Sequence, residues 1–181
     1  SNFDSKILIN SIDPNKDVDG LTDINRIKLL NNEDGIIPCT PLGIIELLKH
    51  YNISLEGKNV VIVGRSNLVS KPLFNLLLNM NATVTMCHSK TSNLSDYTKN
   101  ADILISATGK PHLIKEDMVK SNAVVIDVGI SKIDKKLYGD VDYENVKNKV
   151  SYITPVPGGV GPMTVVMLMK NVLNSYLKEK N

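Results

Sequence analysis

The sequence predicts an α/β fold: a doubly wound, mostly parallel sheet with helices on both faces. Apolar, β-prone runs recur at 59–63, 82–86, 102–106, 123–128 and 151–154, and helical stretches alternate with them. The runs Val60-Val61-Ile62-Val63, Ile103-Leu104-Ile105 and Val124-Val125-Ile126 contain no alternating polar residues, so both faces of those strands are covered. Glycine turns follow three of the strands, at Gly64, Gly109 and Gly129, where strands hand over to crossover connections.

The elements follow in order. A short apolar helix covers 6–12 and ends at the turn Asp13-Pro14, before the acidic stretch Lys16-Asp17-Val18-Asp19-Gly20. Pro38-Cys39-Thr40-Pro41 breaks the chain and offers Thr40 as an N-cap with Pro41 in the first helical position. Ile44, Ile45, Leu47 and Leu48 then share one helix face. Between the strands, helices are expected at 70–80, 93–99, 114–119 and 142–148, and a longer one closes the chain at 162–178. The sequence divides into a leading segment (1–37), a sheet domain (38–155), and a second glycine loop with its helix (156–181).

Composition narrows the function classes. The chain has 181 residues, 42% hydrophobic and 22% charged, with a net charge of +2. That balance provides no concentrated basic face for nucleic acid. Cys39 and Cys87 are far apart and lack metal-ligand spacing, so neither a disulfide framework nor a metal site is expected. No apolar run approaches the roughly 18 residues of a membrane span, and no secretory signal opens the chain. Free thiols in a reducing, cytoplasmic setting fit this pattern, with an organelle left open. The start at Ser1 without Met fits processing or a position inside a longer chain.

Two glycine loops carry the chemistry. The first, Val63-Gly64-Arg65-Ser66-Asn67-Leu68-Val69-Ser70-Lys71-Pro72, joins a strand to a helix, which sets unpaired N–H groups and a positive helix end beside an anion. A structural glycine that merely fits helix to sheet is the bland alternative. Ser70 stands where such loops carry a third glycine, and its small side chain still permits a tight fit. A dinucleotide site reads the ribose at the end of its second strand, about 20 residues further on. Here that stretch is Thr85-Met86-Cys87-His88-Ser89-Lys90-Thr91, without a carboxylate. With Arg65 in the loop, the pattern suits a 2′-phosphate, hence NADP over NAD. His88 and Lys90 read more simply as solvent-facing loop residues than as ligand contacts. Asp127 is either a functional acid or a carboxylate bonded to loop amides, the latter being the commoner case. The second loop, Pro155-Val156-Pro157-Gly158-Gly159-Val160-Gly161-Pro162-Met163-Thr164, is stiffened by prolines and punctuated by glycines that permit close approach to a flat ligand. A chain reversal without a ligand is its bland alternative.

This second loop resembles the C-terminal signature of the methylenetetrahydrofolate dehydrogenase/methenyltetrahydrofolate cyclohydrolase family. The likeness extends through Asp13-Pro14-Asn15-Lys16-Asp17-Val18-Asp19-Gly20, Ile37-Pro38-Cys39-Thr40-Pro41, Val63-Gly64-Arg65-Ser66, Cys87-His88-Ser89-Lys90-Thr91 and Val125-Ile126-Asp127-Val128-Gly129-Ile130, in family order. It implies a Rossmann-like domain forming the C-terminal part of a two-domain enzyme. That enzyme would oxidise methylenetetrahydrofolate with NADP and hydrolyse the methenyl product. It implies cofactor contacts at Gly64, Arg65, Ser66, Ser89 and Ile130. It also implies folate contacts at Asp19, Pro157, Gly158, Gly159, Val160 and Gly161, and a homodimer. The family's lysine-bearing motif is absent, so no catalytic residue is assigned; residues 1–37 become a remnant of the lysine-bearing N-terminal domain. Ile27 and Ser70 replace family glycines. A non-catalytic nucleotide-binding module is the competing reading. An unrelated dehydrogenase would explain Gly64 but neither the second loop nor Asp19.

Overall fold

A computed structural model describes residues 4–180. The leading segment holds α1 (Ser5–Asn10) and α2 (Asp23–Leu30), then α3 (Cys39–His50) follows. The alternating part runs β1 (Asn59–Val63), α4 (Ser70–Asn79), β2 (Thr83–Cys87), α5 (Leu94–Thr98), β3 (Ile103–Ser106) and β4 (Val124–Asp127). A hairpin of β5 (Ser131–Ile133) and β6 (Lys136–Tyr138) intervenes before α6 (Tyr143–Val146), β7 (Tyr152–Ile153) and α7 (Val160–Glu179).

The sheet has the order β2-β1-β3-β4-β7, and all four pairings are parallel. This is doubly wound topology, with its switch point between β1 and β3, where open α/β sheets take ligands at the strands' carboxyl ends. The continuous apolar runs divide by side-chain alternation. Val60, Ile62, Ile103 and Ile105 pack with Ile44 and Leu48 of α3 and Leu73 and Leu77 of α4. Val61, Val63, Leu104 and Val125 face the other way, against Ile114 and Val146. Leu29 of α2 joins the first cluster, so part of the leading segment packs on the sheet domain.

Several expectations are corrected. Thr40 does not cap α3: the helix begins at Cys39, and the Thr40 hydroxyl instead meets the Thr164 hydroxyl at 2.9 Å. The carboxylate of Asp19 accepts the Cys39 N–H, providing from outside the partner that the first turn lacks. The helix expected at 114–119 shrinks to one 3-10 turn, Glu116–Met118. Ile114 is drawn away into a parallel bridge with Val141. The last helix starts at Val160, with Pro162 in its first turn, where a missing N–H costs nothing. Helix α2 and the β5–β6 hairpin were not foreseen. The hairpin turns at Asp134 and Lys135, both at positive φ (46° and 66°), without the Asn-Gly or Asp-Gly pair that normally announces such a turn.

Helix α7 packs along α3, with Gly43 against Met163. Its other side leaves Val165, Val166, Met169, Val172, Leu173 and Tyr176 exposed. Among the described residues no helix is long and apolar enough to cross a membrane.

Candidate functional site

The first glycine loop leaves β1 at the switch point. Gly64 has φ +137°, and a Cβ there would lie 2.6 Å from the Ala107 carbonyl oxygen and 2.9 Å from Ser70 Oγ. Only glycine fits, and buried Ser70 packs as tightly as expected of a small residue. The Ser66 hydroxyl accepts from the N–H groups of Val69 and Ser70, both at 3.2 Å, and so anchors the start of α4. The backbone N–H groups of Arg65, Ser66, Asn67 and Leu68 have no acceptor among the described residues. Four unpaired donors at the positive end of a helix can receive an anion.

A cleft of about 370 Å³ opens beside this loop, lined by Gly64, Arg65, His88, Ser89, Thr91, Thr108 and Lys110, with Val63, Leu94, Ala107 and Leu113 as its apolar part. The structure thus brings Gly64, Arg65 and Ser89 together from the ends of β1 and β2. No carboxylate lines the cleft, while two cations and three hydroxyls do. That donor set fits a phosphorylated ribose. Half-buried His88 lines the cleft instead of facing solvent. Its Nδ1 accepts the Lys90 N–H, and the Thr91 hydroxyl accepts the His88 N–H, which curls the end of β2 into a wall. Thr108 belongs to the strand end Ala107-Thr108-Gly109, where the sequence places part of a ligand crevice, whereas Lys110 carries no such signal. Ser66 and Ile130 do not line the cleft; Ser66 turns its hydroxyl to α4, and Ile130 stands 56% exposed beyond β4.

The neighbouring strand ends turn their amides inward. Asp140, wholly buried, accepts from Ser106 Oγ (2.8 Å), the Thr108 N–H (2.6 Å) and the Lys110 N–H (2.9 Å). Gly109, at φ +67° between the last two, lets both N–H groups converge. Asp127 is the carboxylate bonded to loop amides: it accepts from Gly129 (3.2 Å), Asp140 (2.9 Å) and Val141 (2.9 Å). Burial pushes its carboxyl up to about 6, against those amides and with help from the charge of Asp140. Asp140 carries no local signal in the sequence, since its partners lie about thirty residues upstream.

The second loop sits elsewhere. Gly158 has φ +102°, and beside it, as beside Gly161 in the first turn of α7, a Cβ would meet open space. Gly159 tolerates no side chain, as expected: a Cβ there would lie 2.5 Å from the Pro155 carbonyl oxygen. Its own chain excludes a side chain. Gly158 and Gly159 line a cavity of about 340 Å³ with Leu47, Tyr51, Ile126 and Tyr152, sharing no residue with the cleft. Pro157 is exposed, and buried Val160 joins the core. Asp19 lies exposed near the start of α3, its Oδ1 on the Cys39 N–H at 3.2 Å and its carboxylate beside the Cys39 thiol. Asp17, in the acidic stretch of the leading segment, is a buried staple: burial raises its carboxyl, but bonds from Asn25, Leu21 and Thr22 outweigh this and hold it below the usual range. Burial, with the Asp19 carboxylate alongside, pushes the Cys39 thiol up to about 12.

A parallel doubly wound sheet, with an anion loop and a cation-lined cleft at its switch point, defines a dinucleotide-binding domain. Residues 38–180 match the model of the tetrahydrofolate dehydrogenase/cyclohydrolase NAD(P)-binding domain. The chain belongs to that family. The bifunctional protein FolD of Lactobacillus helveticus is 61% identical over 171 residues, covering 94% of this chain and 61% of the relative. The crystal structure of the bifunctional enzyme FolD from Campylobacter jejuni matches with a TM-score of 0.96 at 49% identity, over 97% of this chain and 63% of that one. The Trypanosoma brucei methylenetetrahydrofolate dehydrogenase-cyclohydrolase, complexed with NADP cofactor and inhibitor, gives a TM-score of 0.94 at 37% identity, over 99% and 64%. The chain spans about three fifths of the length of the curated relatives it matches.

Proposed function

We propose that this chain is the cofactor-binding part of an NADP-dependent methylenetetrahydrofolate dehydrogenase/methenyltetrahydrofolate cyclohydrolase. The observation that carries the reading is the cleft at the switch point: unpaired loop amides, Arg65 beside Ser89, and no carboxylate to repel a 2′-phosphate. In this assignment the loop amides and the positive end of α4 hold backbone phosphate, and Arg65 with Ser89 holds the ribose phosphate. NADP would supply the hydride acceptor. Ile130 and the loop at 157–161 would border the nicotinamide and the folate. Asp19, exposed at the start of α3, would take N–H donors of the pterin.

The proton-handling lysine and the far wall of the folate pocket are assigned to polypeptide beyond these residues, with the exposed apolar side of α7 as its seat. On the same reading the whole enzyme is a cytoplasmic homodimer acting on tetrahydrofolate derivatives in one-carbon metabolism. Arg65 makes no ion pair among the described residues, so its guanidinium is available to a ligand. A charge-assisted contact contributes about 1.5–3 kcal/mol, roughly 10- to 150-fold in affinity. Calorimetric titration of Arg65→Ala should show that loss for NADP and almost none for NAD. Equal losses for both cofactors would reduce Arg65 to shaping the loop and remove the case for NADP.

A further inference from the structure

The two buried aspartates touch neither the cleft nor the second cavity, yet through their carboxylates and the Asp127 backbone they join three of the strand ends that a dinucleotide would cross. Asp140 fixes Thr108 and Lys110, which wall the cleft. Asp127 fixes Gly129, next to Ile130, and also Asp140 and Val141. The Asp127 N–H in turn donates to Thr154 Oγ1 at 2.8 Å, just before the second glycine loop. The fit is reciprocal. A Cβ on Gly129 would lie 2.0 Å from Asp140 Oδ1, and one on Gly139 would lie 2.0 Å from Asp127 Oδ2. Each carboxylate is thus pressed against a glycine on the other's segment.

We infer that Asp140 and Asp127 are positioning residues that set the spacing between the ribose-phosphate end of the site, walled by Thr108 and Lys110, and its far end at Ile130 and the second glycine loop. This rests on the NADP reading above. A ligand that occupies one end needs only that end to be formed. A ligand that spans both also needs the distance between them, and pre-set geometry is what spares it an ordering cost.

The test compares a short and a long ligand on the 181-residue chain. Asp140→Asn puts an amide NH₂ against one of the two converging backbone N–H groups, so one loop amide loses its acceptor. By calorimetry, 2′,5′-ADP, which meets only the loosened wall of Thr108 and Lys110, should weaken about threefold, while NADP, which also loses the spacing to the far end, should weaken about tenfold or more. Ser106→Ala removes one of the donors that fix the same carboxylate without altering its charge. It should show the same pattern more weakly, with about a threefold loss confined to NADP, and it serves if the first variant fails to fold. Hydrogen exchange should quicken at the Thr108 and Lys110 amides in Asp140→Asn. Equal losses for both ligands, or no loss for either in a folded variant, would overturn the inference. Wild-type protein that binds neither ligand would instead sink the functional reading.

Discussion

The loops after β1 and β3 sit on paired neighbouring strands, and both turn on a glycine at positive φ, yet they use their amides in opposite ways. After β1 the N–H groups of Arg65 to Leu68 find no acceptor among the described residues and stay exposed beside the end of α4. After β3 the N–H groups of Thr108 and Lys110 close on the buried Asp140. A glycine turn at the carboxyl end of a parallel strand is therefore not in itself an anion site. What decides is whether the chain brings its own carboxylate. The first loop leaves its amides open to water or to a ligand's anion; in the second the anion is built in.

Three changes would break or sharpen that contrast. Gly129→Ala should have the largest effect, because its Cβ would fall on the Asp140 carboxylate, which has nowhere to move. Overpacking at a fully buried site costs about 3 kcal/mol, equivalent to a fall of roughly 6–12 °C in thermal midpoint for a domain of this size. Calorimetric melting measures it, and an unchanged midpoint would mean that the built-in anion is not held as described.

The next effect depends on pH. The folded Asp127 carboxyl binds its proton more readily than the unfolded one, at about 6 against 3.8. Its contribution to stability is therefore complete below pH 3.8 and lost as pH rises through about 6. The difference corresponds to about 3 kcal/mol. Asp127→Asn cannot titrate, so whatever constant cost it carries, its stability relative to wild type should improve by up to that amount between pH 4 and 7. Denaturant unfolding at several pH values reads this directly, and a flat difference would count against a strained carboxyl.

The smallest effect belongs to the open loop. Ser66→Ala removes the acceptor for two amides at the start of α4 and should cost about 1 kcal/mol of stability. NADP affinity should change little, since the hydroxyl points to the helix and only the Ser66 N–H is left for a ligand. A loss as large as that expected for Arg65→Ala would return the hydroxyl to the list of direct contacts.

The sheet was legible in the sequence because buried parallel strands are continuously apolar, and the β-branched run Val60 to Val63 is closed at once by Gly64. The first glycine loop was legible for a local reason as well: strand, glycine and helix follow one another within a dozen residues. The rest depended on contacts distant in sequence. Asp17 and Asp19 look alike in the string, but one is a buried staple under Thr22 and Asn25 while the other lies open at the start of α3. Helix α2 presents Ile24, Ile27 and Leu30 to solvent and buries only Asn25 and Leu29, so its periodicity was weak. Asp140 gave no sign because a buried carboxylate and a turn carboxylate read identically until their donors are placed. Ser66 and Ile130 were assigned from family likeness, and the geometry sets both outside the cleft lining.

The two thiols have a practical consequence. Cys39 and Cys87 are both buried, and burial raises both, Cys39 to about 12. Since thiolate is the reacting form, about one Cys39 in 10⁵ would be reactive at pH 7 even if a reagent could reach it. The native background is thus nearly silent to maleimides and iodoacetamides. A cysteine introduced at exposed Ile130 or Leu68 would take up a fluorophore or spin label alone, turning either strand-end loop into a reporter of what settles beside it.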